Sequence, residues 1–263
     1  MSEYIQNCID IYKGLQKSYQ EMISESQNAD LKIYHAQEHF FTKHQELSQD
    51  YKDTSRDLLK AALRKYDYAT MVCNQLHCLR EMRELRENQF FNKIFVFPEP
   101  VENEVPFLDE ILFDQSLYIH LSFIDFYMNC LAFFCTGKRL EKVNVSYFYS
   151  ALKENRNEKS VAVAEYMHAN VVIQDPKNST LWGDILRVIR NDSTHKKLLK
   201  LEVKDIPSRM GPIIKEPMYD GEEVSYYVQT KISNYAFAML VTLFPTLYEL
   251  EWIPGAYNSN MYK

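Results

Sequence analysis

Between Leu31 and Phe91 the chain runs 61 residues without a glycine or a proline. A segment of that length with no residue suited to a tight turn has few ways to fold other than as long helices. Its apolar side chains agree. Leu58, Leu59, Ala62, Leu63, Tyr66, Ala69, Val72, Cys73 and Leu76 recur at the 3.6-residue period of one helix face. The whole chain of 263 residues carries only six glycines and nine prolines. The expected fold is therefore all-α. Hydrophobic residues make up 46% of the sequence, ample for a core, and 19 tyrosines and 15 phenylalanines make that core aromatic.

The remaining turn signals divide the chain. Glu3 to about Ser24 reads as a first helix, with Ile5, Ile9, Tyr12, Leu15 and Tyr19 on one stripe, and Asn28 or Asp30 caps a second. The 31–91 run reads as two long helices broken near Asp50 to Ser55, where Asp53, Thr54 and Ser55 offer caps. The dense charges of Arg80 to Glu87 read as a solvated face. Residues 98–106, proline-rich and acidic, form a linker. It divides an N-terminal helical region (1–97, a long antiparallel hairpin) from a four-helix-type bundle (107–253), and 254–263 is a tail.

Within the second part, a helix apolar nearly all round spans about Leu108 to Cys135 and ends at Gly137. Two shorter helices, Val145 to Lys153 and Ser160 to Val171, flank the polar turn Glu154–Asn157. Asn178, Ser179 and Thr180 cap the next one. Asp205 to Glu223, with its prolines and glycines, reads as a long loop. Val224 to Val228 reads as a short strand or the start of the last helix, which covers about Lys231 to Leu250 with a kink at Pro245.

A net charge of −6 speaks against a protein that coats nucleic acid nonspecifically, though not against a local basic patch. The five cysteines, Cys8, Cys73, Cys78, Cys130 and Cys135, form no disulfide framework, so a reducing cytoplasm is the expected setting. The first residues lack the basic and apolar regions of a secretory leader. The apolar stretch Ile111 to Phe134 contains Asp114, His120 and Asp125, which reads as a buried helix rather than a membrane span.

Function is sought where polar chemistry meets an apolar helix. In Leu181 to Lys200, the residues Leu181, Trp182, Ile185, Leu186, Val188 and Ile189 make an apolar face that gives way to Arg190, Asn191, Asp192, Ser193, Thr194 and His195. On an unbroken helix Asn191 and His195 share a face and Arg190 lies about 140° from His195. A long arginine reaching over, or a break at Asn191–Ser193, would let the two converge on one phosphate. The guanidinium clamps phosphate and keeps its charge. The imidazole titrates near neutrality and can move the proton of a ribose 2′-hydroxyl. No metal or other cofactor is needed. From Arg187 to Lys204, six cations (Arg187, Arg190, Lys196, Lys197, Lys200 and Lys204) stand against only Asp192 and Glu202, a neighbourhood that attracts a phosphodiester backbone. The competing account is a solvated helix end whose lysines complement the helix dipole.

The run Arg190-Asn191-Asp192-Ser193-Thr194-His195 resembles the Arg-Asn-x-x-x-His motif of the HEPN superfamily. These are small α-helical bundles, many of them metal-independent endoribonucleases of toxin–antitoxin, phage-defence and RNA-processing systems; others keep the bundle without activity. The resemblance is close over the motif helix, loose over residues 108–250 and absent from 1–97. It implies that Arg190 neutralises the scissile phosphate, that His195 is the general acid/base and that Asn191 orients the site. Arg187, Lys196, Lys197 and Lys200 would then hold the RNA. It also implies a homodimer in which two motifs meet, with RNA or a nucleotide as ligand and an antitoxin protein as a further partner. The alternative is an inactive helical module that binds a nucleotide, RNA or protein.

Two other constellations compete. His35, Glu38 and His39 spell H-x-x-E-H, which would make a zinc hydrolase with His35 and His39 as ligands and Glu38 as base, with His44 nearby. A hydrated helix face is the preferred account. Cys73, His77 and Cys78 cannot complete a tetrahedral site and read as core packing. Asp114, His120 and Asp125 are expected to line the cleft opposite Arg190 and His195, with a satisfied core histidine as the alternative for His120. No glycine-rich phosphate loop, nucleophile elbow or dinucleotide fingerprint occurs.

Overall fold

The computed structural model describes residues 13, 17, 20, 21, 24, 30–91, 104–174, 179–195, 202–204, 213–215, 218–219, 222–223, 236 and 239. For 77–91, 104–110, 113, 192–195 and the strands it describes the backbone alone. The architecture is all-α. Helix α1 covers residues 30–43, α2 Gln49–Phe91, α3 Glu104–Thr136, α4 Val145–Glu154, α5 Glu158–Asn170 and α6 Trp182–His195. The expected first helix, the last helix apart from residues 236 and 239, the 224–228 segment and the tail lie outside the described residues.

The break between the first two of these helices falls at residues 44–48, not at Asp50–Ser55. Ser48 explains the shift. Its hydroxyl accepts the Tyr51 backbone N–H at 3.2 Å and starts α2 there. Asp53 is then used on the helix surface, accepting from Gln49 and Arg56 at 2.9 Å each. Helix α3 begins at Glu104, earlier than the expected Leu108, so Pro106 lies in its first turn, where no backbone donor is needed. Asn144 and Asn157 cap α4 and α5 by accepting the N–H of Tyr147 and Ser160 at 2.9 Å. Gly137 closes α3 with φ 70° and donates to the Phe133 carbonyl at 2.7 Å, as its sequence position predicts.

Helix α3 is the hub: α2, α4, α5 and α6 all pack on it. Every residue of the α2 stripe read from sequence is buried. One continuous cluster of buried side chains runs from Ile33 through α2 and α3 to Met239, so residues on both sides of the 98–106 segment share it. Its aromatic content is structural. Tyr51 of α2 stacks on Phe133 at 5.3 Å and donates its hydroxyl to the Phe134 carbonyl at 2.8 Å. Tyr127 donates to the Met239 carbonyl at 3.1 Å, tying helical residues 236 and 239, both buried, to α3.

Asp114–Thr136 within α3 is long and apolar enough to cross a membrane by length and composition, and 67% of that window is buried inside the protein. Among the described residues it is the one such helix. Burial is nonetheless incomplete. Ile111, Tyr118 and Phe126 are exposed along one strip of α3, which corrects the expectation of a helix buried all round.

After α6 come two small antiparallel ribbons. β1 (Glu202–Lys204) pairs with β2 (Ile213–Lys215), Val203 opposite Ile214. β3 (Met218–Tyr219) pairs with β4 (Glu222–Glu223). The span expected as a plain loop, Asp205 to Glu223, therefore contains β2 and the β3–β4 pair. Asp220-Gly221 between β3 and β4 is a strong two-residue hairpin signal that outweighs the prolines.

Candidate functional site

Helix α6 is anchored at its N-terminal end by a close backbone approach. Gly183 donates to the Val171 carbonyl at 3.0 Å, and a Cβ there would lie 2.6 Å from that oxygen and 3.3 Å from Ile124 Cδ1. Ser179 Oγ accepts the Leu181 N–H at 3.2 Å just ahead of the helix. Asp184 is fully buried. One carboxylate oxygen accepts the Ile173 N–H at 3.2 Å and the other accepts from Arg187 Nη1 at 3.3 Å. Trp182, Leu186 and Ile189 enter the core, as the apolar spacing predicts, whereas Val188 is 39% exposed and does not belong to that face.

The half-buried Arg190 lies over the ring of Tyr118 on α3, its guanidinium carbon 5.7 Å from the ring centroid. Tyr118 is 46% exposed, so this pair sits at the protein surface. Beside it stands Asp125. Burial pushes the Asp125 carboxyl up to about 6, and Arg187 and Arg190 pull it back toward ionisation. The site is thus two arginines from successive turns of α6, with a tyrosine and a carboxylate from α3 beneath them.

The expected cleft residues divide accordingly. Asp125 is near enough to Arg187 and Arg190 to feel both charges. His120 is instead on the side of α3 that meets α2. Its Nδ1–H donates to the Ser116 carbonyl at 2.7 Å, which leaves Nε2, 3.8 Å from Cys73 Sγ, to accept the thiol. Burial lowers its pKa to about 4 and lifts the Cys73 thiol to about 12. His120 is a neutral core histidine, and Cys73 is buried against it across the helix interface, as core packing requires; the side chains of His77 and Cys78 lie outside the described residues. Asp114 is half-buried on α3.

Helix α6 is unbroken through His195, so the chain does not break at Asn191–Ser193. On that continuous helix the Arg190 and His195 Cα positions differ by about 140° in azimuth and about 7.5 Å in height. Asn191 is exposed and lies on the same helix face as His195, about 40° away. The His195 side chain and all of Lys196, Lys197 and Lys200 lie outside the described residues. Lys204 belongs to β1, opposite Ile213.

At the H-x-x-E-H segment, Glu38 is engaged by Arg56, whose Nε and Nη2 donate to its two oxygens at 2.6 and 2.8 Å. That bidentate pair holds the Glu38 carboxyl below the usual range, first through the hydrogen bond and then through the charge. To act as a general base on zinc, that carboxylate would first have to leave Arg56. Among the described residues, no group of three or more His, Cys, Asp or Glu side chains could hold a metal ion. Sequence reasoning missed Tyr118 and Gly183. Tyr118 precedes Asp125 by seven positions, the interval that returns to the same helix face, and that interval was the available signal.

Compared with known proteins, the chain matches no protein-family model, no curated protein and no solved structure.

Proposed function

We propose that the protein acts on RNA through the C-terminal end of α6, as a metal-independent endoribonuclease of HEPN type. The observation that supports this reading most is the surface placement of Arg190 on the exposed ring of Tyr118, with Arg187 one turn away. A guanidinium held against an aromatic face is pre-oriented to clamp a phosphate, and the ring offers a face to a base. In the reaction a ribose 2′-oxygen forms a bond to the adjacent phosphorus and the bond from phosphorus to the 5′-oxygen breaks. His195 takes the hydroxyl proton and returns one to the departing oxygen, leaving a 2′,3′-cyclic phosphate and a 5′-hydroxyl. Arg190 neutralises the charge that builds on the phosphate oxygens. Asn191, on the same helix face as His195, orients the imidazole or the strand. A homodimer that brings two α6 ends together would supply Arg190 and His195 to one phosphate from different copies, which overcomes their 140° divergence within a chain.

That divergence on an unbroken helix also favours a second reading, a noncatalytic RNA- or nucleotide-binding helical module. One assay separates them. Purified protein is incubated with single-stranded RNA in EDTA, and the products are examined for cyclic phosphate ends. Cleavage that falls at least 100-fold in Arg190→Ala and in His195→Ala supports the nuclease. Binding without turnover in the wild type leaves the module, and neither binding nor cleavage removes the nuclease and the RNA-binding form of the module.

A further inference from the structure

The outward strip of α3 carries a second ring capped by a cation from a neighbouring helix. At one end Arg190 of α6 lies over Tyr118, and eight residues further on Lys65 of α2 places its ammonium 5.4 Å from the centroid of Phe126. Eight helical residues span about 12 Å along α3, so both rings lie on the outward-facing part of the helix, one beside α6 and one beside α2. Phe126 is 37% exposed. It forms one wall of an open groove of about 330 Å³ between α2 and α3. Lys60, Arg64 and Lys65 bring three positive charges to this groove, Tyr68 a second ring that is 44% exposed, and Asp57 its only acidic group. Ala61 keeps the floor shallow.

This composition is unusual in a chain of net charge −6. Three cations against one carboxylate concentrate positive potential where the protein as a whole is negative. Cations interleaved with exposed rings suit a ligand that alternates phosphates and flat bases, since every base has a stacking face. A partner helix would need a long apolar trough, whereas this groove is short and rimmed with charge. An acidic peptide would satisfy the cations but leave the ring faces of Tyr68 and Phe126 without a planar partner.

The geometry points to the groove between α2 and α3 as a binding track for single-stranded RNA. The strand stacks a base on Tyr68 or Phe126, sets its phosphates against Lys60 and Arg64, and runs along α3 toward Tyr118 and Arg190. Asp57 lines the groove and Asp125 lies near Arg187 and Arg190, so the strand passes beside both carboxylates. The inference rests on the RNA reading of α6 for the direction of the strand, but the groove is made of different residues and is tested separately.

Full-length protein is titrated with a fluorescent single-stranded oligoribonucleotide over a range of salt concentrations. Lys60→Gln/Arg64→Gln removes two exposed charges, and Tyr68→Ala removes an exposed ring, with circular dichroism checking the helices. The double variant should lower the slope of log affinity against log salt by about 1.4, since each lost phosphate contact in a single strand removes about 0.7. Tyr68→Ala should weaken binding roughly tenfold at every salt concentration, the loss of one stacked base. If RNA is bound or cut by the wild type and these variants match it in affinity and slope, the track is wrong and the α6 reading stands. If the variants lose affinity while Arg190→Ala does not, the track stands without that reading. No RNA binding, or binding of a poly-glutamate competitor in its place, overturns the track.

Discussion

At the scale of single residues, the site depends on how closely α6 can approach its neighbours. Gly183 permits that approach, because the Val171 carbonyl occupies the space a side chain would need. Gly183→Ala should lower stability by about 1–3 kcal/mol, the usual cost of overpacking, read as a fall in the denaturation midpoint. RNA affinity should fall with it, because Arg190 rides on the displaced helix. An alanine variant with unchanged midpoint would show that α6 is not seated as described. This contact is invisible in sequence, where Gly183 is one small residue beside Trp182. The same limit applies to Tyr118 and Asp125. Both are legible as residues of a helix, yet only the crossing of α3 by α6 reveals that they meet Arg190 and Arg187. The run from Arg190 to His195 lies within one continuous helix, so its placement depends on adjacent positions alone.

At the scale of elements, periodicity carried most of the information. The α2 stripe and the helix end at Gly137 could be read locally, because each depends on residues within a few positions. The break between α1 and α2 could not, because Ser48 and Asp53 are both competent caps and only packing selects between them. Polar residues placed between helices resist sequence reading in the same way. Asp30 of α1 is pushed up to about 7, chiefly by burial and then by the Asp67 charge of α2. A carboxyl raised in the folded state binds more protons than in the unfolded chain. Its contribution is therefore full below pH about 4 and is lost as the pH rises through about 7. Asp30→Asn should raise the melting temperature by about 2–4 °C at pH 8, and the gain should vanish at pH 4. A constant difference across that range would remove the carboxyl as its cause.

At the scale of the whole molecule, one cation joins three helices. Lys159 of α5 is 0% exposed, and its ammonium lies 4.7 Å from the ring centroid of Phe40 in α1 and 5.0 Å from that of Phe134 in α3. Burial draws its pKa down to about 8, while Cys135 and Glu158 oppose the shift. A lysine lowered in the folded state binds fewer protons than the unfolded chain between about pH 8 and 10.5, so stability rises with pH across that window. Lys159→Met should flatten the rise measured by chemical denaturation between pH 8 and 10, and an unchanged slope would exclude Lys159 as its source. The central position of α3 has a different consequence, for the order in which the chain is made. The stripe of α2 is covered by a helix that follows it in sequence. On a ribosome, α2 would emerge with its greasy side bare until some forty more residues had been translated, an interval in which a chaperone has its best opportunity to bind.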